Sequence, residues 1–184
     1  VITGIGAVTP VGNNAVQTWH AIREGVCGIG PITQYDSSTQ KVHLAAEVKD
    51  FDPASALEGR DWRHMSRYAQ LAMAAAQEAM ADSGLDLELT DRERCGVIVS
   101  SGIGGIGMTE REELRCAQKG YDRASPYYIP MAIANMAAGL IAIAFGFKGM
   151  CTCPVTACAG GTNAVGDAFR HIRDGYAEVM LCGG

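Results

Sequence analysis

The residue with the clearest chemical potential is Cys158, in the stretch Pro154-Val-Thr-Ala-Cys158-Ala-Gly-Gly-Thr-Asn-Ala-Val-Gly-Asp-Ala168. A short apolar run ends in a thiol, and a helix of very small residues follows at once. That order puts sulfur on a sharp strand-to-helix turn, facing the free N–H groups of a helix start, which favour a negative sulfur nucleophile. The same amides can stabilise a developing oxyanion. This is the cysteine counterpart of the nucleophile elbow that serine hydrolases build on a strand, a turn and a helix. A cysteine can equally be core filler. Here, however, Gly160, Gly161 and Gly166 each cost a helix about 1 kcal/mol relative to Ala. Three of them make sense where other backbone or a ligand comes close.

A cysteine nucleophile normally needs a base. Of the four histidines, His171 lies thirteen residues along the same predicted helix, about 20 Å away at 1.5 Å per residue. His20 and His64 fall on other predicted helices, at the surface, and His43 has no better claim. No histidine is marked by the sequence as the base.

A second motif competes. Residues 102–107 read Gly-Ile-Gly-Gly-Ile-Gly, the dinucleotide-binding pattern of Gly102, Gly104 and Gly107 after a strand. That reading requires an acidic residue about twenty positions on, at the end of the next strand. Asp122 has the spacing, yet it stands in the turn-rich run Gly120-Tyr-Asp-Arg-Ala-Ser-Pro126. The context argues against a nucleotide cofactor. Cys151 and Cys153 lack the second pair or histidine cluster that a metal site needs, so these two and Cys182 read as core filler, and no metal is expected.

Positioning these groups requires a scaffold of alternating strands and helices. An opening β-like run, Val1-Ile2-Thr3, leads to a helix capped by Asn13 or Asn14 and ended by Gly25. A short strand is expected over 43–48, a long helix from about 61 to 82 with Gly84 as the stop, and a strand over 95–100. The glycine loop and a charged surface helix over 109–118 follow. Nothing between Arg123 and Lys148 is charged, but Pro126, Pro130, Asn135, Gly139 and Gly146 interrupt this run. It reads as a soluble helix buried on all sides, against a core or a partner subunit, not a membrane span. A strand over 150–156, a helix over 159–174 and a strand over 177–182 complete an α/β fold with a largely parallel sheet.

Length and composition set the limits. With 184 residues, 48% of them hydrophobic, the chain can bury one sizeable core. A net charge of −5 gives no electrostatic case for nucleic acid or an anionic membrane. Seven cysteines, an odd number without paired spacing, fit a reducing cytoplasm better than a disulfide framework. The chain opens and closes inside strand-like runs, as expected of a segment cut from something longer.

Together these residues resemble the bacterial β-ketoacyl-acyl-carrier-protein synthases, most closely their elongating type II members. The matching stretches span the chain: Val1-Ile-Thr-Gly-Ile-Gly6 with Thr9-Pro-Val-Gly12, Met80-Ala-Asp-Ser-Gly84, Ser100-Ser-Gly-Ile-Gly-Gly105, Asn135-Met136, Val155-Thr-Ala-Cys158, and Val179-Met-Leu-Cys-Gly-Gly184. The resemblance implies a thiolase-like layered fold (α-β-α-β-α when complete), of which residues 1–184 form the first, βαβ-rich half. It implies a homodimer in which the strand before Cys158 pairs across the two-fold. The implied reaction is a decarboxylative Claisen condensation of malonyl-acyl-carrier-protein with an acyl group held on Cys158. The family's two catalytic histidines, supporting lysine and gating loop would lie outside these residues. By position, Ile103 matches the acyl-pocket residue, and Arg60, Arg63 and Arg123 match basic residues that meet the acidic carrier protein. The chain departs from that basic pattern at His64 and Asp122. Ala159 and Gly160 replace commoner small residues after the nucleophile, without altering the expected elbow. A thiolase-like enzyme acting on acyl-CoA is the alternative.

Overall fold

A computed structural model describes all residues, 1–184. Contacts gather into two compact units, where composition led to one core. The first comprises residues 1–58 and 74–84, the second residues 59–73 and 85–184.

The first unit holds α1 (Ala15–Arg23), a two-stranded antiparallel ribbon of β1 (Gly30–Pro31) and β2 (Leu44–Ala45), the single turn α2 (Pro53–Ala56), and the second part of α3 (Arg67–Ser83). Asn14 is the residue that caps α1, its side chain accepting the Gln17 N–H at 2.7 Å. Asn13 instead donates to the carbonyls of Lys49 and Asp50. Gly25, at φ +68°, supplies the left-handed turn after the helix. The expected opening strand is absent. Residues 1–8 run without a strand partner and are tied to α3 by side chains, with the Ile5 N–H donating to Asp82 and the Ala7 N–H to Glu78, each at 2.9 Å. The expected strand over 43–48 shrinks to β2.

The second unit carries the chemistry. Its sheet is parallel, with β3 (Cys95–Val99) between β4 (Cys151–Thr152) and β5 (Val179–Gly183). All five residues of β3 are buried, which an alternating strand achieves only when both of its faces are covered. Ile98 packs with Ala164 and Ala168 of α7 (Gly160–Arg173), with Met180 and Cys182 against them. That leaves the face of Val97 and Val99 for α6 (Met136–Phe145), which also packs on β3. Between β3 and α6 come α4 (Ile106–Lys119) and α5 (Tyr128–Ala132).

Several expected bounds shift. The helix expected from residue 61 begins at Arg67, because Trp62–His64 forms a 3-10 turn first. The uncharged run is two helices, broken at residues 133–135, and the chain itself buries only part of it. Ala137, Ala138, Ile141 and Ala142 are buried, whereas Ile143 is 77% exposed and Ile129 56% exposed. The strand expected over 150–156 pairs only at Cys151 and Thr152, since the chain turns away after Cys153 to build the elbow. No helix is long and apolar enough to cross a membrane.

Candidate active site

The elbow is built from sequence that cannot continue a strand. Pro154 has no N–H to donate to a ladder, and Ala157 takes φ +48°, in the left-handed region that L-residues seldom adopt. Such a backbone costs of order 1 kcal/mol or more and persists where its surroundings fix it. Residues Ala157–Ala159 make a 3-10 turn, and α7 begins at Gly160. Cys158 sits at the middle of that turn, exposed, with its thiol free. The first turn of α7 has no side-chain cap, so no side chain takes its N–H groups.

Two close approaches hold the elbow. At the end of β3, the Ser100 hydroxyl donates to the Pro154 carbonyl at 2.7 Å. A Cβ on Gly160 would overlap Ser100 Oγ and lie 2.9 Å from Ser100 Cβ, so only glycine fits between strand and helix there. One residue on, a Cβ at Gly161 would meet the Gly184 carbonyl at 3.0 Å. Of the glycines noted in the sequence, Gly160 thus admits the Ser100 side chain and Gly161 the Gly184 backbone, whereas Gly166 has only Arg170 Nη1 nearby, at 4.0 Å. The result is a shallow groove of about 410 Å³ lined by Cys158, Gly161, Thr162, Val165, Gly183 and Gly184. Gly183 and Gly184 were not singled out as site residues. Their signal was the Gly-Gly pair ending a strand-like run.

The remaining candidates fall in different places. Ile103 is 67% exposed on the loop after β3 and is not among the groove residues. Arg60 lies over the Phe145 ring at 5.5 Å and Arg63 over the Trp62 ring at 5.1 Å. Arg123 lies instead in a second open cleft of about 600 Å³, with Arg115 and Lys119. The three arginines expected to act together are thus divided between a turn and a cleft. His64, in the same turn as Arg63, stacks on Tyr127 with ring centroids 3.8 Å apart while its Nδ1 sits 2.5 Å from Asp61.

No histidine reaches the groove. His171 is bonded at its Nδ1 to the Asp167 carbonyl in the last turn of α7, 3.1 Å away. His20 closes α1, and His43 lies just before β2 with its carbonyl accepting the Ile32 N–H. Of the other thiols, Cys182 packs in the core and burial pushes its thiol pKa up. Cys153 is half-buried and accepts the Ser101 N–H at 3.3 Å, fastening the loop after β3 to the strand leading to the elbow. Cys151 is exposed on β4, which corrects its reading as core filler. No group of three His, Cys, Asp or Glu side chains gathers in a way that could hold a metal ion.

The glycine loop does follow a strand and open a helix, as the dinucleotide pattern asks. Its amides, however, are spent on the chain itself. The Gly104 N–H donates to Ser101 Oγ at 2.9 Å and the Gly105 N–H to the Ala132 carbonyl at 2.8 Å. A Cβ at Gly104 would lie 2.5 Å from that same carbonyl, and one at Gly105 would overlap the Met131 carbonyl. Asp122 sits in the 3-10 turn Tyr121–Arg123, not at a strand end. The small residues here admit the chain's own 131–134 segment and leave no cradle for a pyrophosphate.

The model of the β-ketoacyl synthase N-terminal domain matches residues 1–184. The chain belongs to the β-ketoacyl synthase family. Among curated relatives, the 3-oxoacyl-[acyl-carrier-protein] synthase 2 of Synechocystis sp. is 46% identical over the whole chain, which spans 44% of that relative. The enzyme of the same name from Staphylococcus aureus is 42% identical, with the whole chain spanning 46% of it. The chain therefore covers less than half the length of these ketosynthases. The fold agrees with solved structures. The ishigamide ketosynthase/chain length factor matches all of the chain and 46% of its own, at TM-score 0.87 and 29% identity. A β-ketoacyl synthase from Burkholderia phymatum matches all of the chain and 46% of its own, at 0.83 and 26%. A type II polyketide ketosynthase, solved in complex with its acyl carrier protein and bound to a hexaketide, matches 99% of the chain and 48% of its own, at 0.81 and 26%. The α/β, thiolase-like reading of the ketosynthase fold is borne out, with the parallel sheet at its centre.

Proposed function

We propose that this ketosynthase chain carries the nucleophile of a 3-oxoacyl-acyl-carrier-protein synthase of type II fatty acid biosynthesis. The observation that carries the reading is the exposed Cys158 on a strained turn at the head of α7, in a chain 46% identical to a synthase of that name. In the first stage, the Cys158 thiolate attacks the thioester carbonyl of an acyl carrier protein. The new S–acyl bond forms as the carrier's C–S bond breaks, and the carrier thiol leaves with a proton. In the second stage, malonyl-carrier-protein loses CO2. Its α-carbon bonds to the acyl carbon, and the bond to Cys158 Sγ breaks as the thiolate leaves. The amides around the turn face the carbonyl oxygen as it becomes an oxyanion. The residues lining the groove offer no base, in keeping with catalytic histidines outside these 184 residues.

The same reading makes the protein a cytoplasmic homodimer. Its support is local. The strand β4 has a neighbour on one side only, and unpaired edges are templates for pairing. Ile143 is exposed on α6, which packs on β4. All seven cysteines are free, as in a reducing compartment. Ile103 is the residue we assign to the lining of the acyl pocket, and Arg60, Arg63 and Arg123 to the carrier-protein surface. The test is condensation by the full-length protein. Acyl- and malonyl-carrier-protein should yield a 3-oxoacyl product and CO2, and Cys158→Ala should abolish that product. Condensation at the wild-type rate by Cys158→Ala would overturn the assignment.

A further inference from the structure

The acylation chemistry leaves the construction of the glycine loop after β3 unused, and that construction is uneven. Residues 102–103 form an open span. A Cβ on Gly102 would meet no heavy atom within 4 Å, and Ile103 is largely exposed. Both flanks of the span are fixed. On the near side, the Ser101 N–H donates to Cys153 Sγ at 3.3 Å, and the same thiol faces the Ser101 carbonyl at 3.8 Å. On the far side, the Gly105 N–H donates to the Ala132 carbonyl, and residues 131–134 fill the space that Cβ atoms at Gly104 and Gly105 would need. That segment is itself held from α3, where the Tyr68 hydroxyl donates to the Ile133 carbonyl at 2.6 Å. The two flanks meet in one side chain, because Ser101 Oγ accepts the Gly104 N–H at 2.9 Å and so closes the span on which Ile103 stands. Beside it, Ser100 bonds the Pro154 carbonyl. Bonds from Ser100 to Pro154 and from Ser101 to Cys153 therefore tie the root of the loop to the chain that leads to Cys158.

We propose that Ser101, seated on Cys153, is a positioning residue for acyl-chain length, fixing the span that carries Ile103 at a set place relative to Cys158. This rests on the assignment of Ile103 to the acyl pocket made above. Gly102 and Gly104 flank Ile103, and glycine has little backbone preference of its own. Packing does not hold the span either, so hydrogen bonds decide where Ile103 stands. An acyl chain longer than the preferred one must push Ile103 aside, and Ile103 moves only as far as the span yields. With Ser101 Oγ bonded to the Gly104 N–H, yielding costs that bond. Without the hydroxyl, two residues with few contacts swing freely, as poorly packed loops do.

The test is acylation of Cys158 in the full-length protein, read by intact mass, with acyl-carrier-protein thioesters of the preferred length and of a length a few carbons longer. The readout is the ratio of kcat/KM, longer over preferred. Ser101→Ala should raise that ratio about fivefold, the worth of one hydrogen bond, and Ser101→Thr, which keeps the hydroxyl, should return it to the wild-type value. Cys153→Ala, which leaves the Ser101 N–H without its acceptor, should move it in the same direction. Ile103→Ala should raise it too, and adding Ser101→Ala on that background should change it no further, since Ser101 acts through Ile103. A merely structural role would lower both rates alike. A wild-type ratio in both Ser101→Ala and Cys153→Ala, with Ile103→Ala still raising it, overturns the inference while the pocket reading stands. Additive effects of Ser101→Ala and Ile103→Ala overturn it as well. A ratio unmoved by any substitution at Ile103 overturns the pocket reading itself, and the inference with it.

Discussion

Replacing Gly160 by alanine tests how the nucleophile is held. The added methyl would overlap Ser100 Oγ and stand 2.9 Å from Ser100 Cβ. Ordinary contact begins near 3.4 Å, so Ser100 must leave its rotamer to clear Oγ, and β3 and α7 must still separate by about 0.5 Å to clear its Cβ. Leaving that rotamer breaks the 2.7 Å bond to the Pro154 carbonyl, worth about 1 kcal/mol net. Overpacking adds roughly 1–3 kcal/mol. Alanine recovers at most about 1 kcal/mol of helix preference. The balance is a loss of roughly 1–3 kcal/mol, which a urea titration reads as a midpoint lowered by about 1 M at unchanged slope. Ser100→Gly removes both obstructing atoms, so Gly160→Ala on that background should cost much less, a coupling of roughly 1–2 kcal/mol. A Gly160→Ala midpoint at or above wild type, or additive single and double variants, would refute the packing argument.

Other consequences follow from single residues. The Ser125 amide holds the Glu112 carboxyl below its usual 4.5, with burial opposing and Arg115 assisting. A depressed folded value stabilises the protein fully above about pH 4.5 and loses that contribution as pH falls through the folded pKa. The stability gap between wild type and Glu112→Gln should therefore be constant from about pH 5 to 8 and close in more acidic buffer, as followed by urea midpoints. Ile103→Phe should shift the preferred acyl length downward, by roughly tenfold in relative kcat/KM between long and short acyl-carrier-protein substrates. Unchanged selectivity would remove Ile103 from the pocket. Gly104→Val should destabilise the protein because of the Ala132 carbonyl and a φ of +72°, and calorimetry should find no saturable NAD(P) binding to the wild type.

The elbow was legible because its requirements are local. A proline that ends a ladder, a small residue to take the strained φ, and glycines where helix meets strand closely are all written around Cys158. Helices α1, α4 and α7 were legible for the same reason, through Asn14, the charged face over 109–118 and the small residues after Cys158. What was not legible depends on partners distant in sequence. Residues 1–8 read as a strand by composition, but a strand needs a neighbour, and their amides find Asp82 and Glu78 instead. The glycine loop matched a nucleotide motif to the letter, and only the approach of Ala132 shows why its glycines are required. Glu112 gave little sign beyond its four-residue spacing to Cys116, since burial of one acid on a charged helix is decided by the turn that folds over it. Arg60, Arg63 and Arg123 share a charge but not a location, which spacing alone does not resolve.

The most direct test is the intact mass of the full-length protein after mixing with an acyl-carrier-protein thioester, followed by peptide mapping. The account predicts one acyl adduct per chain, on Cys158, and none in Cys158→Ala. No adduct from the folded protein, or an adduct that persists in Cys158→Ala, would contradict the assignment of Cys158 as the nucleophile.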